Sequence, residues 1–574
     1  MIRKIIWITY SLLVAYSLSS CTGSNPATPQ PLPTFVSPGI KDNPLLEEDG
    51  NSTSQVTSQL GAIVNYNFDV SLDYAGHRVQ VTQHVEVVNP GPDVWNEIVF
   101  YLPPGLQTDR FVLSTVEMRD GVESSAMQMQ VTSDGFLNFQ LPKFINPNES
   151  RIITIKYGLE ATQVDLASLS PVGDIGYSED VLQFVNWYPR LVPYRAGIGW
   201  IRWPDIGAYW PIVTEVSDYR LTISVADGIV VASGGPVERR ENKELIGLYD
   251  WIFQMQNARS IAFSASPNYE LKTKTEAGVT VYLFHLSEDS YAGDAVLNAA
   301  TRSLVLFNDR YGHYPYRSLV IAQNHYRSSI ASGGLLLHSG QGFDNYSGQP
   351  DSLLMALVPL TLSELWWGQL VGYDAITEPW IGASFAMYSE YMYLEEYYPD
   401  MKEWFWTDRI DYWKPDGVLN RTVYDMNNRQ EILQNTYRIG ARFLDELRTE
   451  MGNNKFRSFT RDLFRRGIFR LMDGTAFFKT LRSHTTEYPE EIISRYFDEN
   501  IKMPDILPAL TPAYNLAQPP TATPVQRFHE VQTGDTLTSI SIQYEVPMQM
   551  IIDRNRILDP ASIQLGSKLI IPYP

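Results

Sequence analysis

A helix can hold a divalent metal between two histidines four residues apart, with an intervening carboxylate as base for the attacking water. The chain has eight histidines, and no two of them stand in that relation. The stretch LSELWWGQLVGYDAITEPWIGASFAMYSEY, residues 362–391, reads as two aromatic-rich helices around a turn, with carboxylates at Glu364 and Glu390 but no histidine. A single carboxylate at Glu364 cannot supply the three protein ligands that a catalytic zinc site needs. Two other positions could do chemistry. Cys21 is the sole cysteine, so it offers one thiol and no disulfide. Asp535, in GDTL, is placed to cap a short helix.

These positions need a scaffold, and 574 residues exceed what one core supports. Three folded units with linkers are expected. A hydrophobic content of 44% with 12% aromatic residues is that of a globular chain. The net charge of -20 leaves no concentrated basic stripe for phosphates, which excludes a nucleic-acid binder.

The N-terminus, MIRKIIWITYSLLVAYSLSSC, sets Arg3 and Lys4 before an apolar run from Ile5 to Leu18. That run falls short of the ~20 residues that span a bilayer, so residues 1–20 are expected to be an export signal. Its end, LSSC, resembles the lipobox of bacterial lipoproteins, in which Cys21 would be acylated and become the mature N-terminus. An ordinary cleaved signal with a chance cysteine is the alternative. The resemblance implies a membrane-anchored lipoprotein facing the outside of the cytoplasmic membrane, in the envelope or periplasm. The Pro/Ser-rich segment 21–58 reads as an extended tether.

From about residue 62 the pattern alternates. Tyr66, Phe68, Val70 and Leu72 share one strand face, and Val79, Val81, Val85 and Val87 repeat the period. Residues 59–272 are therefore expected to be a mostly antiparallel β domain. Helical spacing begins near Tyr291, Asp351 could cap the helix before Trp366, and Pro359 should kink that helix. A mainly helical domain is expected over 273–504, a Pro-rich linker over 505–527, and a small separate unit over 528–574.

The small unit contains HEVQTG, GDTL and LGSKLIIP. In that order they resemble a LysM domain, whose fold is βααβ. Leu537, Ile540 and Ile551 read as its core. LysM domains bind glycans containing N-acetylglucosamine, such as peptidoglycan. The resemblance implies a groove between Gly534, Asp535, Thr536 and Leu537 on one side and Arg556, Ile557, Leu558, Asp559 and Pro560 on the other.

The middle of the chain carries WYPRLVPY, SDYRLTISVADGIVVASGG, ELWWGQLV, WIGASFAMYSE and TYRIGARFLDELRTEMG. In this order they resemble the membrane alanyl aminopeptidase family of gluzincin metallopeptidases, with a β-saddle domain followed by a thermolysin-like helical domain. The complete chain is then a multidomain α+β protein. In that family an HExxH helix continues as an aromatic pair and Gly, and a third ligand, Glu, follows. Set against LWWGQ, the two histidine positions fall on Leu360 and Glu364, the general base on Thr361, and the third ligand on Ala383. The strand whose glutamate grips a substrate amine corresponds to GGLLL, with Leu336 at the glutamate position. Tyr437 stands where active relatives keep the tyrosine that stabilises the tetrahedral intermediate; a buried structural tyrosine is its plainer reading. Glu390, Trp366, Trp367 and Trp380 read first as packing residues.

The resemblance thus implies a peptidase-like domain without catalytic chemistry and with no cofactor. The anchored chain would dock on peptidoglycan, and its vestigial cleft would be open to a peptide or protein partner or empty. Two alternatives remain at this level. One is a metallopeptidase with an altered site using Glu364, His338 and a third, unidentified ligand; the other is an envelope-structuring protein whose middle is a spacer.

Overall fold

The computed structural model describes residues 63–498, apart from 104–105, 132–134, 165–173, 203–212, 325, 327–328 and 427. In the C-terminal unit it describes 527–532, 535–544, 548, 551, 555 and 566–571. Cys21, the signal, the tether and linker residues 505–526 lie outside the described residues, as do Gly534, Arg556, Ile557, Leu558, Asp559 and Pro560.

The alternating segments form the expected β domain. Its largest sheet runs Val237–Glu241, Leu248–Ala258, Ser217–Ala226, Ile63–Asp73, Arg78–Val88, Ser150–Glu160, Phe111–Asp120, Glu123–Ala126. Tyr66, Phe68, Val70 and Leu72 all point into its core, as a period of two requires. Pairing is antiparallel except at the centre, where Ile63–Asp73 lies parallel to Ser217–Ala226 with Tyr66 opposite Tyr219. Such a sheet is still mostly antiparallel, as expected. A parallel neighbour needs a long crossover, and here roughly the whole domain supplies it.

A second sheet has five strands in the order Tyr269–Glu276, Val279–Leu286, Ser318–Gln323, Leu335–His338, Ile330–Ser332. The expected boundary at residue 272 falls inside its first strand, Tyr269–Glu276. Helix Ser290–Arg310 packs on the sheet, and helices Leu353–Ser363, Trp380–Tyr397, Ile439–Met451, Asn453–Gly467, Gly474–His484 and Glu490–Tyr496 add to the same core.

The aromatic residues around residue 366 form the centre of this core. Trp367 stacks on Phe385 with ring centroids 4.0 Å apart, and Trp366 Nε1 donates to the Gly312 carbonyl at 2.8 Å. Trp380 meets Phe477 and Phe497 edge to face. All three tryptophans are fully buried, as packing residues should be.

The two domains meet backbone to backbone. A Cβ on Gly234 would stand 1.8 Å from the Gly333 carbonyl oxygen, so only glycine permits this approach. Beside it, the buried Arg259 guanidinium donates to the carbonyls of Thr214 and Arg470. Burial pulls its pKa down to about 10.

In the C-terminal unit, Arg527–Glu530 pairs antiparallel with Lys568–Ile571. Helix Leu537–Tyr544 lies between them in sequence, and Leu537, Ile540 and Ile551 join Val531 and Leu569 in a small core.

Candidate functional site

The helix that should carry the chemistry is apolar on most sides and buried at Leu354, Met355, Val358, Pro359 and Leu362. Ser352, not Asp351, is its N-cap residue, and its side chain makes no capping bond. The helix continues through Pro359 to Ser363. Packing on several sides holds the turn despite the lost N–H. The break comes later: Gln369 N–H donates to the Glu364 carbonyl, five residues back, and Trp367 leaves helical geometry at φ −108°, ψ 62°. Such wide turns let a helix end while its side chains stay packed.

Leu360 and Glu364 therefore sit on the last turn, four residues apart and on one face. Leu360 and Glu364 are partly exposed, whereas Thr361 is buried at 2% exposure. Ala383 lies on helix Trp380–Tyr397 and is also buried. The tyrosine segment is locked onto that helix beside it. Gly440 approaches so closely that a Cβ would stand 1.9 Å from Ser384 Oγ, and Ser384 Oγ donates to the Thr436 carbonyl at 3.3 Å. This contact sets Tyr437, whose hydroxyl donates to Glu364 Oε1 at 3.2 Å.

Sequence spacing did not point to Tyr373. Its ring lies against helix Trp380–Tyr397, where a Cβ on Gly382 would come within 2.2 Å of it. Burial and the nearby Glu364 carboxylate raise the Tyr373 phenol well above its ordinary pKa. The backbone beside Ala383 is thus covered by an aromatic ring. No local signal in GYDA distinguishes such a ring from any other tyrosine.

Burial raises the Glu364 carboxyl to about 7, partly opposed by the Tyr437 hydrogen bond. Glu364 forms no ion pair among the described residues. Glu390 differs: fully buried, it accepts from Arg409 Nε and Nη2 at 2.7 and 2.8 Å, a two-pronged pair that serves packing. Leu336 is buried in the strand Leu335–His338, opposite Ala331 on the edge strand. Gln369 ties the end of WWGQ to that strand by donating to the Ala331 carbonyl at 3.5 Å.

A zinc ion does not fit this donor set. Leu360 and Ala383 carry no donor atoms, and Glu364 alone remains, engaged by Tyr437. His338 does not complete it. Its Nδ1 lies 2.8 Å from Ser329 Oγ, and its ring meets Phe343 edge-on near the start of the Leu353–Ser363 helix. Its pKa is pushed down to about 4 by burial, with a contact to the Leu354 backbone opposing. Leu354 and Glu364 lie ten residues apart on that helix, about 15 Å along the axis, too far for one ion. Among the described residues no three His, Cys, Asp or Glu side chains gather at metal-binding distance.

In the C-terminal unit the expected sugar contacts divide. Leu537 is 2% exposed and belongs to the core, so its side chain is unavailable to a glycan. The first residue of the helix faces inward, which the GDTL pattern alone did not show. Asp535 does not cap the helix: its Oδ2 accepts from Gln532 N–H and pairs with His529 Nε2. Thr536 caps it instead, its hydroxyl accepting from Ser539 N–H at 3.0 Å while Ser539 Oγ accepts from Thr536 N–H. Thr536 remains exposed.

Comparison with known proteins agrees with both units. A search of the curated proteins found no match to the chain. The M1 zinc metallopeptidase of Deinococcus radiodurans is similar in structure, with a TM-score of 0.57 and 14% identity, over 79% of this chain and 97% of its own. A glutamate-to-alanine variant of a D. radiodurans M1 zinc metallopeptidase, bound to a Tyr-Ser-Ala substrate, matches with a TM-score of 0.55 and 15% identity, over 78% of this chain and 98% of its own. The family model of the LysM domain matches residues 529–572. The chain thus carries a LysM domain at residues 529–572 and, over most of its length, a fold similar to that of the M1 zinc metallopeptidases.

Proposed function

We propose that this is an envelope protein that binds peptidoglycan through its LysM domain and carries a peptidase-like domain without peptidase chemistry. The observation that carries the second half is the donor set. At the positions set by LWWGQ and WIGASFA, Leu360 and Ala383 are aliphatic, Thr361 replaces the base, and Glu364 is bonded to Tyr437. Leu336, at the substrate-amine position, is buried among apolar residues. A fold supplies no reaction once its reacting groups are gone.

LysM domains bind peptidoglycan and other N-acetylglucosamine glycans, and this supports an extracytoplasmic location. The signal at 1–20 and the acylatable Cys21 support a lipid anchor on the outer side of the cytoplasmic membrane. Anchor and wall binder on one chain raise effective concentration at the envelope. The two alternatives fare differently. A metallopeptidase using Glu364 and His338 conflicts with their placement, Glu364 at the end of helix Leu353–Ser363 and His338 on a strand against its start. A spacer role for the middle domain agrees with Tyr373 covering Gly382, while the partly exposed Leu360, Glu364 and Tyr437 leave a surface for a peptide or protein partner.

Retention of the full chain on purified peptidoglycan, compared with a chain lacking residues 528–574, tests the wall-binding half. Loss on truncation is expected, and equal retention would defeat it.

A further inference from the structure

His529 lies on the strand Arg527–Glu530, opposite Leu569, and is 8% exposed. Both of its ring nitrogens are engaged. Nε2 lies 2.8 Å from Asp535 Oδ2, and Nδ1 lies 3.2 Å from the Tyr544 hydroxyl. A carboxylate only accepts, so Nε2 carries a proton; in the neutral ring Nδ1 then accepts from Tyr544. Asp535 Oδ2 also accepts from Gln532 N–H at 2.7 Å. A single chain of hydrogen bonds thus joins the end of helix Leu537–Tyr544, the first strand and the loop that starts that helix.

Glu530 pairs across the sheet with Lys568, and the partner of His529 on that strand is Leu569. From the helix, Tyr544 faces the ring; from the loop, Asp535 does. The Gln532 N–H and His529 hold the Asp535 carboxyl below its ordinary pKa, so it is ionised and used within the protein. The exposed neighbour is Thr536, whose backbone and hydroxyl are fixed by Ser539.

We propose that His529 is a positioning residue for glycan binding: through Asp535 it holds the start of helix Leu537–Tyr544 in the position that presents the exposed Thr536 to N-acetylglucosamine. This rests on the glycan-binding reading of the LysM domain. His529 and Asp535 set affinity without touching the sugar.

The test uses the full chain and two variants, His529→Phe and His529→Gln. The probe is the N-acetylglucosamine tetramer at pH 7, followed by calorimetry, with amide hydrogen exchange of Gln532 to Leu537 measured without sugar. Phe keeps the bulk and loses the bonds; Gln keeps a donor for Asp535. The expected result is about tenfold weaker binding and faster loop exchange for His529→Phe, with His529→Gln within about threefold of the parent. Unchanged binding by His529→Phe, or equal loss in both variants, would overturn the proposal. If the parent chain binds neither the tetramer nor peptidoglycan, the glycan reading itself fails. Loop exchange still reports on His529 in that event, and equal exchange in His529→Phe and parent would overturn its positioning role separately.

Discussion

Tyr437 donates a hydrogen bond to Glu364 across 3.2 Å, joining the last turn of one helix to a segment clamped on the next. The pair links two positions that the resemblance assigns to a metal ligand and to a catalytic tyrosine. Here a phenol satisfies a carboxylate where a ligand would meet a metal. This bond, with Tyr373 against Gly382, gives the region a structural use of its own.

The elevated Glu364 pKa has a definite sign. Its folded value, about 7, lies above the ordinary carboxylate value, so its stabilising contribution is complete at pH below ~4.3 and is lost as pH rises through 7. Glu364→Gln should therefore raise thermal stability relative to the parent at pH 8, by on the order of 2 kcal/mol, and give no gain at pH 4. Calorimetry at the two pH values checks it. A gain that is equal at both would show that burial is not the cause.

Glu378 should behave alike over a higher window. Burial and the nearby Asp473 raise its carboxyl to about 8, while the Gly474 N–H it accepts opposes. Glu378→Gln should flatten the loss of stability between pH 5 and pH 9, measured by urea unfolding. The effect adds to that of Glu364→Gln if the two carboxyls titrate independently.

Glu390 and Arg409 form a buried pair, and breaking one side leaves an uncompensated charge. Arg409→Met should destabilise by about 3 to 5 kcal/mol in denaturant unfolding. Adding Glu390→Leu should recover most of that loss, because both charges are then gone. Failure of the double variant to recover would assign the pair a role other than packing.

In the C-terminal unit, Leu537→Ala should act on stability. A buried leucine truncated to alanine costs about 2 to 5 kcal/mol. Thr536→Ala removes a helix cap and should cost about 1 kcal/mol. Unfolding of the full chain, followed by loop exchange and by the signal from Tyr544, separates the two.

Much of the scaffold was legible because periodicity reports burial directly. The face holding Tyr66, Phe68, Val70 and Leu72, the three tryptophans, and the small core of Leu537, Ile540 and Ile551 follow from spacing alone. Relations between distant segments were not legible. The parallel partner of Ile63–Asp73, the sheet that claims Tyr269, and Tyr373 over Gly382 arise from tertiary packing. Local chemistry did not decide the outcome in two places. Pro359 lies inside a helix that continues to Ser363, and Asp535 bonds to His529 and Gln532 while Thr536 takes the cap. At the candidate site the sequence does not show the Tyr437 bond that occupies Glu364.

The most direct test of the account is the metal content of the purified full chain, read together with hydrolysis of aminoacyl substrates. The account predicts no stoichiometric zinc and no chelator-sensitive cleavage. One tightly bound zinc per chain, with cleavage abolished by a chelator and restored by zinc, would contradict it.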